Sequence, residues 1–181
     1  MTRYRRAIAK GGIFFFTINT HQRQKILTHP DTLAALREAT EKVRIERPFE
    51  IEAWVVLPDH MHLVMTLPEG DTDYSTRLSI IKRLTSQKAS HLVGVAQTAS
   101  SLRRKESGFW QRRFWEHQIR DDNDFEKHVN YAHYNPMKHG YVKAVKDWSH
   151  STFHRHVALG HYQEDWGDVS AMQEGDFGEV D

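Results

Sequence analysis

Two apolar runs with only Pro58 and Asp59 between them constrain the fold more than any other feature of this chain. Residues 50–57 (EIEAWVVL) and the run after the Pro-Asp pair (HMHLVMTL) are rich in β-branched and apolar side chains, which is typical of buried strands. Because such a short connection joins antiparallel neighbours, the sequence predicts a β-hairpin whose second arm spans residues 58–67.

The second arm of this hairpin carries two histidines, His60 and His62. Side chains alternate between the faces of a strand, so the two imidazoles share one face and Met61 points to the other. Neutral imidazole is the commonest transition-metal ligand, and such a pair supplies two ligands of a divalent cation. In a chain with 13 histidines, the pair alone is also compatible with two ordinary histidines at the start of a strand.

The hairpin falls within an alternating series of predicted strands and helices. Strands are predicted at residues 13–19, 50–57, 58–67 and 109–119, and helices at residues 32–47, 75–89 and 121–134, with Asp31 and Ser75 as N-caps of the first two helices. This order is the split βαβ pattern. It predicts an α+β, ferredoxin-like or RRM-like fold, in which a four-stranded antiparallel sheet has helices on one face and an extra C-terminal helix follows.

The last predicted helix carries a tyrosine and an asparagine one turn apart. Its packing stripe comprises Phe125, Val129 and Ala132. Tyr131 lies roughly 200° from Val129 around the helix, off this stripe, and Asn135 falls on the same face as Tyr131. Pro136 predicts that the helix ends at Asn135, with the amide oxygen outside the packed interior. The simpler alternative is a surface tyrosine followed by an asparagine that ends the helix.

The distribution of charge divides the chain into a basic body and an acidic tail. Of 24 acidic residues, seven lie after Gln163, where there is no Lys or Arg. The body therefore has 17 acids against 25 Lys and Arg, a net charge of about +8, which favours a polyanionic partner such as nucleic acid. We expect one domain at residues 1–160 and a flexible acidic tail at residues 161–181.

Composition also indicates the compartment. The chain has no cysteine, so it has neither disulfides nor thiolate metal sites. It has no apolar run of 18 residues and no N-terminal pattern of a signal peptide. We therefore expect a cytoplasmic, nucleoid-associated protein with no membrane partner.

Taken together, PDHMHL and the later YAHYN resemble the single-tyrosine HUH transposases, which have two histidines flanking an apolar residue and a later helical tyrosine four residues before Gln or Asn. More narrowly, the chain is similar to the REP-associated tyrosine transposases, bacterial enzymes linked to repetitive extragenic palindromes. The resemblance spans residues 3–160 and is also carried by YRR, KGG, FFFT, RPFEIEAWVV, FWQRRFWEH, YNPMKHGYV and DWSHSTFHR. The fold that it implies agrees with the predicted order of strands.

The resemblance also implies a site and a reaction. His60, His62 and Asn135 would bind Mg²⁺ or Mn²⁺, and Tyr131 would attack a DNA phosphodiester to leave a 5′-phosphotyrosine and a 3′-hydroxyl. Tyrosine is a poor nucleophile near neutral pH because its phenol pKa is about 10, so its attack needs a metal that polarises the phosphate. The phosphotyrosine ester would let a second 3′-hydroxyl reverse the step, so that strands are rejoined without ATP. The implied partner is single-stranded DNA beside a REP-type hairpin, bound by a monomer or homodimer.

Basic and aromatic side chains are candidates for contacts with this DNA. The candidates for phosphate contacts are Arg5, Arg6, Arg77, Lys82, Arg83, Lys88, Arg103 and Arg104. Each of them, taken alone, is more simply a solvated surface charge. Trp110, Phe114 and Trp115 alternate in part toward the core, so we interpret them first as packing residues and second as platforms for base stacking.

Two functions of other classes remain open at this point. A ferredoxin-like sheet is also the frame of RNA-binding modules, although these strands lack their Gly-flanked aromatic signature and a pure binder needs neither His62 nor Tyr131. Replication initiators and relaxases of the wider HUH group form a tyrosine adduct too, but they usually carry a third histidine or acid and often a helicase region.

The acidic tail supports a regulatory hypothesis. Trp166 and Phe177 are spaced among its carboxylates, so the tail can imitate the bases and phosphates of a DNA strand. As a tethered ligand of the basic body, it would compete with DNA at a high effective concentration. A tail that only solubilises the protein is the alternative.

Overall fold

The computed structural model describes residues 11–94 and 108–167. This part of the chain contains β1 (Ile13–Asn19), α1 (Pro30–Glu46), β2 (Glu50–Val56), β3 (His60–Thr66), α2 (Tyr74–Ala89), β4 (Trp115–Gln118), α3 (Asp122–Lys138) and α4 (Phe153–Ala158). Short 3₁₀ turns lie at His21–Arg23, Ser90–Leu92 and Val145–Asp147. Within these two ranges, every helix is too short or too polar to cross a bilayer.

The four strands form one antiparallel sheet in the order β2-β3-β1-β4. β2 and β3 form the predicted hairpin. β1 lies between β3 and β4, and its residues Thr17 and Asn19 are opposite His62 and His60. The predicted α+β, ferredoxin-like fold is confirmed.

The composition of β1 explains why both faces of the sheet are covered. All seven of its residues are buried, so the strand needs an apolar layer on each side. Phe14, Phe16 and Ile18 pack in a core with α1 and α2, whereas Ile13 and Phe15 pack in a second core with α3 and the segment after it. The extra helix expected after the sheet therefore forms a second layer, on the face opposite α1 and α2.

β4 is much shorter than the strand predicted at residues 109–119. The first half of that run pairs with the end of β1 in another way: Trp110 forms an isolated bridge with Thr20, and the Gln111 N–H donates to the Asn19 carbonyl. Regular pairing with β1 begins only in β4. The aromatic residues of the run thus serve packing along its length and do not mark one continuous strand.

The helices begin and end differently from the predicted bounds. The N-caps of α1 and α2 each lie two residues before the predicted ones, because His29 accepts from the Asp31 N–H and Asp73 accepts from the Thr76 N–H. α3 continues through Pro136 instead of ending before it. A proline in the last turn removes only one helical donor, so the helix closes normally two residues later.

The segment after α3 packs against the body as far as Trp166. Tyr162 is buried, its ring lies 4.5 Å from the ring of Trp166, and Trp166 also approaches Phe153 at 6.0 Å. The boundary expected at residue 160 therefore falls inside packed structure, and Trp166 belongs to the second core. Residues 168–181, with Phe177, lie outside the described residues.

Candidate active site

The alternation predicted for the histidine strand is confirmed. Met61 packs in the core beneath α1 and α2, while His60 and His62 face α3. Both imidazoles are buried, and their ring centroids are 5.0 Å apart. Buried polar rings are costly unless their nitrogens are bonded, so the partners of each nitrogen indicate what the pair can do.

His60 lies between a carboxylate and an amide. Its Nδ1 is 2.7 Å from Oδ1 of Asp59, and its Nε2 is 3.2 Å from Oδ1 of Asn135 on α3. The carboxylate fixes the ring proton on Nδ1, which leaves two acceptors, Nε2 and the amide oxygen, facing each other. A cation bound by both atoms would relieve this contact between two acceptors. Neighbouring ligands of an octahedral Mg²⁺ with bonds of about 2.1 Å lie about 3 Å apart, close to the observed separation.

His62, like His60, has a polar side chain next to its Nδ1. Its Nδ1 is 3.0 Å from Oγ1 of Thr17 on β1, so when Thr17 accepts the ring proton, Nε2 is the acceptor nitrogen. An outer hydrogen bond of this kind orients a metal-binding imidazole. The donor set, two imidazole nitrogens and one amide oxygen, therefore fits a divalent cation.

The structure corrects the positions expected for Tyr131 and Asn135. Tyr131 is only 6% exposed and its ring lies 5.3 Å from that of His62; Asn135 is fully buried. Helical periodicity failed here because α3 is covered on two sides. The sheet packs on the face of His128 and Tyr131, and the segment after the helix packs on the face of His133.

Lys138 is a site residue that sequence reasoning missed. Its Nζ lies 3.0 Å from the phenol oxygen of Tyr131 and 4.9 Å from the centre of the ring. An ammonium that donates to this oxygen stabilises negative charge there. The signal in the sequence is spacing: His128, Tyr131, Asn135 and Lys138 are three, four and three residues apart and share one face of α3.

Asp59 and Arg23 complete the site, and neither was predicted to be part of it. Burial raises the pKa of Asp59, but the hydrogen bond from His60 and the charge of Arg23, whose Nε is 3.1 Å away, hold that pKa below its ordinary value. Asp59 is therefore a carboxylate at neutral pH.

The turn that carries Arg23 has an unusual backbone conformation. Gln22 and Arg23 both have positive φ angles, 53° and 54°, which is rare for residues other than glycine. Residue spacing gives no sign of this turn.

Comparison with known proteins identifies the family. A family model described as "Transposase IS200 like" matches residues 13–135, which run from β1 to Asn135. The chain belongs to the IS200-like transposase family.

Relatives narrow the assignment within this family. A REP-associated tyrosine transposase of Escherichia coli (strain K12) is 47% identical over 178 residues, which are 97% of this chain and 98% of that protein. A Haemophilus influenzae relative is 47% identical over 170 residues, 92% of this chain and 94% of its own length. A solved structure of a REP-associated tyrosine transposase bound to a REP hairpin has a TM-score of 0.77 and 45% identity, and covers 99% of this chain and 98% of that one. The resemblance drawn from the sequence is confirmed, and the chain is an enzyme of the tyrosine transposase class.

One predicted phosphate contact of this IS200-like transposase is buried inside the protein. Arg77 is 2% exposed, and its guanidinium donates to the carbonyls of Arg47, Pro48 and Asp73 and to the carboxylate of Asp71. It joins the loop after α1 to the loop before α2. The structure thus gives Arg77 a structural role, because its donors are directed at protein acceptors.

The other predicted contacts in the described part of this transposase lie on α2, on the sheet face opposite His60 and His62. Lys82 donates to the Gln111 carbonyl at 2.7 Å, and burial lowers its pKa to about 8. Lys88 pairs with Glu38, and Arg83 is exposed. Their role in DNA binding stays a prediction, as does that of residues outside the described ranges, namely Arg5, Arg6, Arg103 and Arg104.

The aromatic residues near β4 pack against the body, in agreement with their interpretation as packing residues. Trp110 is buried and donates from Nε1 to the Lys82 carbonyl. Phe114 packs edge-on against Phe16, and Trp115 packs edge-on against Phe15. Base stacking on these rings stays a prediction.

Proposed function

We propose that this transposase is a metal-dependent endonuclease and strand transferase for single-stranded DNA, acting beside REP-type hairpins through a 5′-phosphotyrosine intermediate. The observation that carries the proposal is the meeting of His60 and His62 with Tyr131 and Asn135 in one buried site, although about 70 residues separate the pairs. Lys138 on the phenol oxygen supports the assignment of Tyr131 as the nucleophile.

The donor set would hold Mg²⁺ or Mn²⁺ through His60, His62 and Asn135. When bound, the cation supplies Lewis-acid polarisation of the scissile phosphate. Asp59 and Thr17 keep each imidazole in the orientation that presents Nε2. Because Asn135 and Tyr131 are on the same helix, α3 fixes the distance between this one ligand and the nucleophile.

Tyr131 would cleave the strand by in-line displacement. A bond forms between its phenol oxygen and phosphorus while the bond from phosphorus to the 3′-oxygen breaks; the phenol proton goes to solvent and the 3′-oxygen gains one from solvent. The Lys138 ammonium stabilises the phenol oxygen as it loses its proton. In the reverse step it stabilises the same oxygen as the leaving group, so one contact assists both cleavage and rejoining.

The partner is inferred from the depth of the site and from the relative. Tyr131 is only 6% exposed, so a flexible single strand would reach its phenol oxygen more easily than a duplex, in which base pairing holds the backbone in a wide helix. The relative solved with a REP hairpin is 45% identical over 99% of this chain. This similarity supports a hairpin as the element that recruits the strand.

The fold weakens the RNA-binding alternative. RRM modules stack bases on an open sheet face. Here α1 and α2 cover one face, and α3 with the segment after it covers the other. Within the described ranges, the sheet therefore offers no open platform for bases.

The proposal is tested with a hairpin oligonucleotide that has a single-stranded flank, incubated with the protein and Mn²⁺, Mg²⁺ or EDTA. A 3′-end label is expected to become covalently attached to the protein, and a 5′-end label to mark a shorter strand. Peptide mass spectrometry is expected to place the adduct on Tyr131, and EDTA to abolish it. Cleavage without an adduct, or binding of the hairpin without cleavage, would overturn the proposal; the same oligonucleotide made fully duplex is the control.

A further inference from the structure

A second group of polar side chains meets where β4 lies against the first turns of α3. His117 Nε2 is 2.8 Å from Oδ2 of Asp124, and His128 Nδ1 is 3.1 Å from Oδ1 of the same carboxylate. One potential ligand atom of each residue lies within 4.8 Å of the other two. Among residues 11–94 and 108–167, this is the one such group of three His, Asp or Glu side chains.

This cluster is separate from the site of His60 and His62. The ring of Phe15 lies between the two, with its centroid 5.5 Å from that of His62 and 4.9 Å from that of His128. The two sets have no residue in common. The mechanism proposed above uses none of the three side chains of the cluster.

We propose that His117, Asp124 and His128 form a second metal site, which binds Zn²⁺ or a cation of similar preference such as Co²⁺. Two imidazole nitrogens and one carboxylate oxygen are a ligand set that Zn²⁺ accepts, with water in the fourth position. Ligands of a tetrahedral Zn²⁺ with bonds of about 2.0 Å lie about 3.3 Å apart. The separations of 2.8 and 3.1 Å between each imidazole nitrogen and a carboxylate oxygen are close to this spacing.

The charge state of the cluster suits coordination. Burial lowers the pKa of His128, so this imidazole is neutral at pH 7. Burial raises the pKa of Asp124, but hydrogen bonds from His117 and from the Arg120 N–H outweigh it and hold that pKa below its ordinary value. A carboxylate between two imidazoles is thus ready for a divalent cation, which displaces the ring protons on binding.

Binding requires one ring to tilt. The rings of His117 and His128 are stacked, with centroids 4.4 Å apart and planes 12° apart, so their nitrogen lone pairs run nearly parallel. His128 is 5% exposed and packs on Phe15. Its Nδ1 also donates to the Asp124 carbonyl at 2.7 Å, a hydrogen bond that a cation bound at Nδ1 would replace. The His117 side chain, 23% exposed on an edge strand, is therefore the one that turns. The mostly exposed Arg120 guanidinium, 3.5 Å from Asp124, is a weak partner for the cation to displace.

A cation here would join the edge strand to the catalytic helix. β4 has four residues and pairs only with β1 in the described sheet. His128 precedes Tyr131 by three residues, on the same face of α3. The site would therefore hold β4 against the part of α3 that positions the proposed nucleophile.

The test measures metal binding, so it does not depend on DNA cleavage. In the double variant His60→Ala/His62→Ala, Co²⁺ is titrated by visible absorption and Zn²⁺ by calorimetry. We expect about one equivalent, the intense absorption of tetrahedral Co²⁺, and an increase in Tm with Zn²⁺. Adding His117→Ala or Asp124→Asn is expected to abolish all three.

A surface pair provides the matched control. His91 Nε2 lies 3.0 Å from Oδ2 of Asp31 with both side chains more than half exposed, and His91→Ala is expected to leave binding unchanged. The proposal is overturned if the double variant binds no Co²⁺, or if binding persists in Asp124→Asn. If the double variant does not fold, His117→Gln and Asp124→Asn in the wild-type chain decide the question, because each must lower the Zn²⁺ stoichiometry by one equivalent.

Discussion

In the proposed mechanism, Tyr131 takes part in cleavage only through its hydroxyl oxygen. The ring contacts with His62 and Phe15 are kept when the hydroxyl is removed. Tyr131→Phe is therefore expected to abolish cleavage and to change hairpin affinity by less than about threefold, or about 0.7 kcal/mol. Gel assays of the adduct and fluorescence anisotropy measure the two effects. Tyr134→Phe is the matched control, and full cleavage by Tyr131→Phe would move the nucleophile to Tyr134.

Lys138 acts on the same oxygen through its charge. Lys138 is exposed, so we take the lower end of the range for a charged hydrogen bond, about 1.5 kcal/mol. Lys138→Met is therefore expected to slow single-turnover cleavage and rejoining by about tenfold each. The ratio of the two rates should not change, because the contact assists both directions. Lys138→Arg should retain part of the rate, and Lys143→Met, at an exposed lysine five residues on, should retain all of it. Unchanged cleavage in Lys138→Met would leave the contact without a catalytic role.

Substitution of His60 and His62 tests whether the pair binds a metal or only stabilises the fold. His60→Ala and His62→Ala are each expected to abolish metal-dependent cleavage while the protein stays folded, because Asp59 keeps its contact with Arg23. Circular dichroism, urea denaturation and cleavage assays with Mn²⁺ are the measurements. If either variant instead loses several kcal/mol of stability and the wild type binds no metal at this pair, the two histidines are structural.

At the scale of elements, α3 is held from the side opposite the sheet by a buried polar network. His133 Nδ1 is 3.2 Å from the Tyr162 hydroxyl, its Nε2 is 2.9 Å from the Thr152 hydroxyl, and its ring lies 4.9 Å from that of His156. Burial lowers the pKa of His133 well below its ordinary value. The network is thus neutral at pH 7 and fixes the helix only while its histidines stay unprotonated.

This network makes stability depend on pH. Burial lowers the pKa of His156 to about 4, so between pH 6.5 and 4 the unfolded chain binds a proton that the folded chain does not, and stability falls as pH falls. Between pH 7.5 and 5 this histidine alone accounts for about 2 kcal/mol. His156→Gln, which retains a donor for the Glu52 carbonyl, is expected to lose about 2 kcal/mol less than wild type over that range in urea denaturation. His154→Gln, at an exposed neighbour, should behave as wild type. If His156→Gln loses as much stability between pH 7.5 and 5 as the wild type does, His156 is not the source of the pH dependence.

For the molecule as a whole, a test of the acidic tail must remove its acidic residues without removing the residues that pack at the end of the body. Trp166 packs on Tyr162 and Phe153, so truncation after Gln163 removes core contacts together with acids. Truncation after Gly167 removes five of the seven acids and leaves Trp166 in place. We expect this shorter cut to tighten hairpin binding and speed cleavage at low salt, with the difference shrinking as salt screens the charges.

The two truncations serve as controls for each other. The cut after Gln163 is expected to lower the free energy of unfolding as well, by about 1–3 kcal/mol for the lost Trp166 contacts. If the full chain and the chain ending at Gly167 bind and cleave equally at low salt, the tail does not compete with DNA and only solubilises the protein.

The hairpin, the order of strands and the shared face of His60 and His62 could all be predicted from the sequence, because they depend on local periodicity and on a two-residue turn. Through a motif, the sequence also indicates Tyr131 and Asn135 as candidate site residues, and their roles stay a prediction. That both residues are buried could not be predicted in this way, because the helix is covered on two sides and its periodicity marks only one of them. The contacts of Arg23 with Asp59 and of His117 with Asp124 likewise depend on how separate elements pack, and no spacing along the chain encodes that.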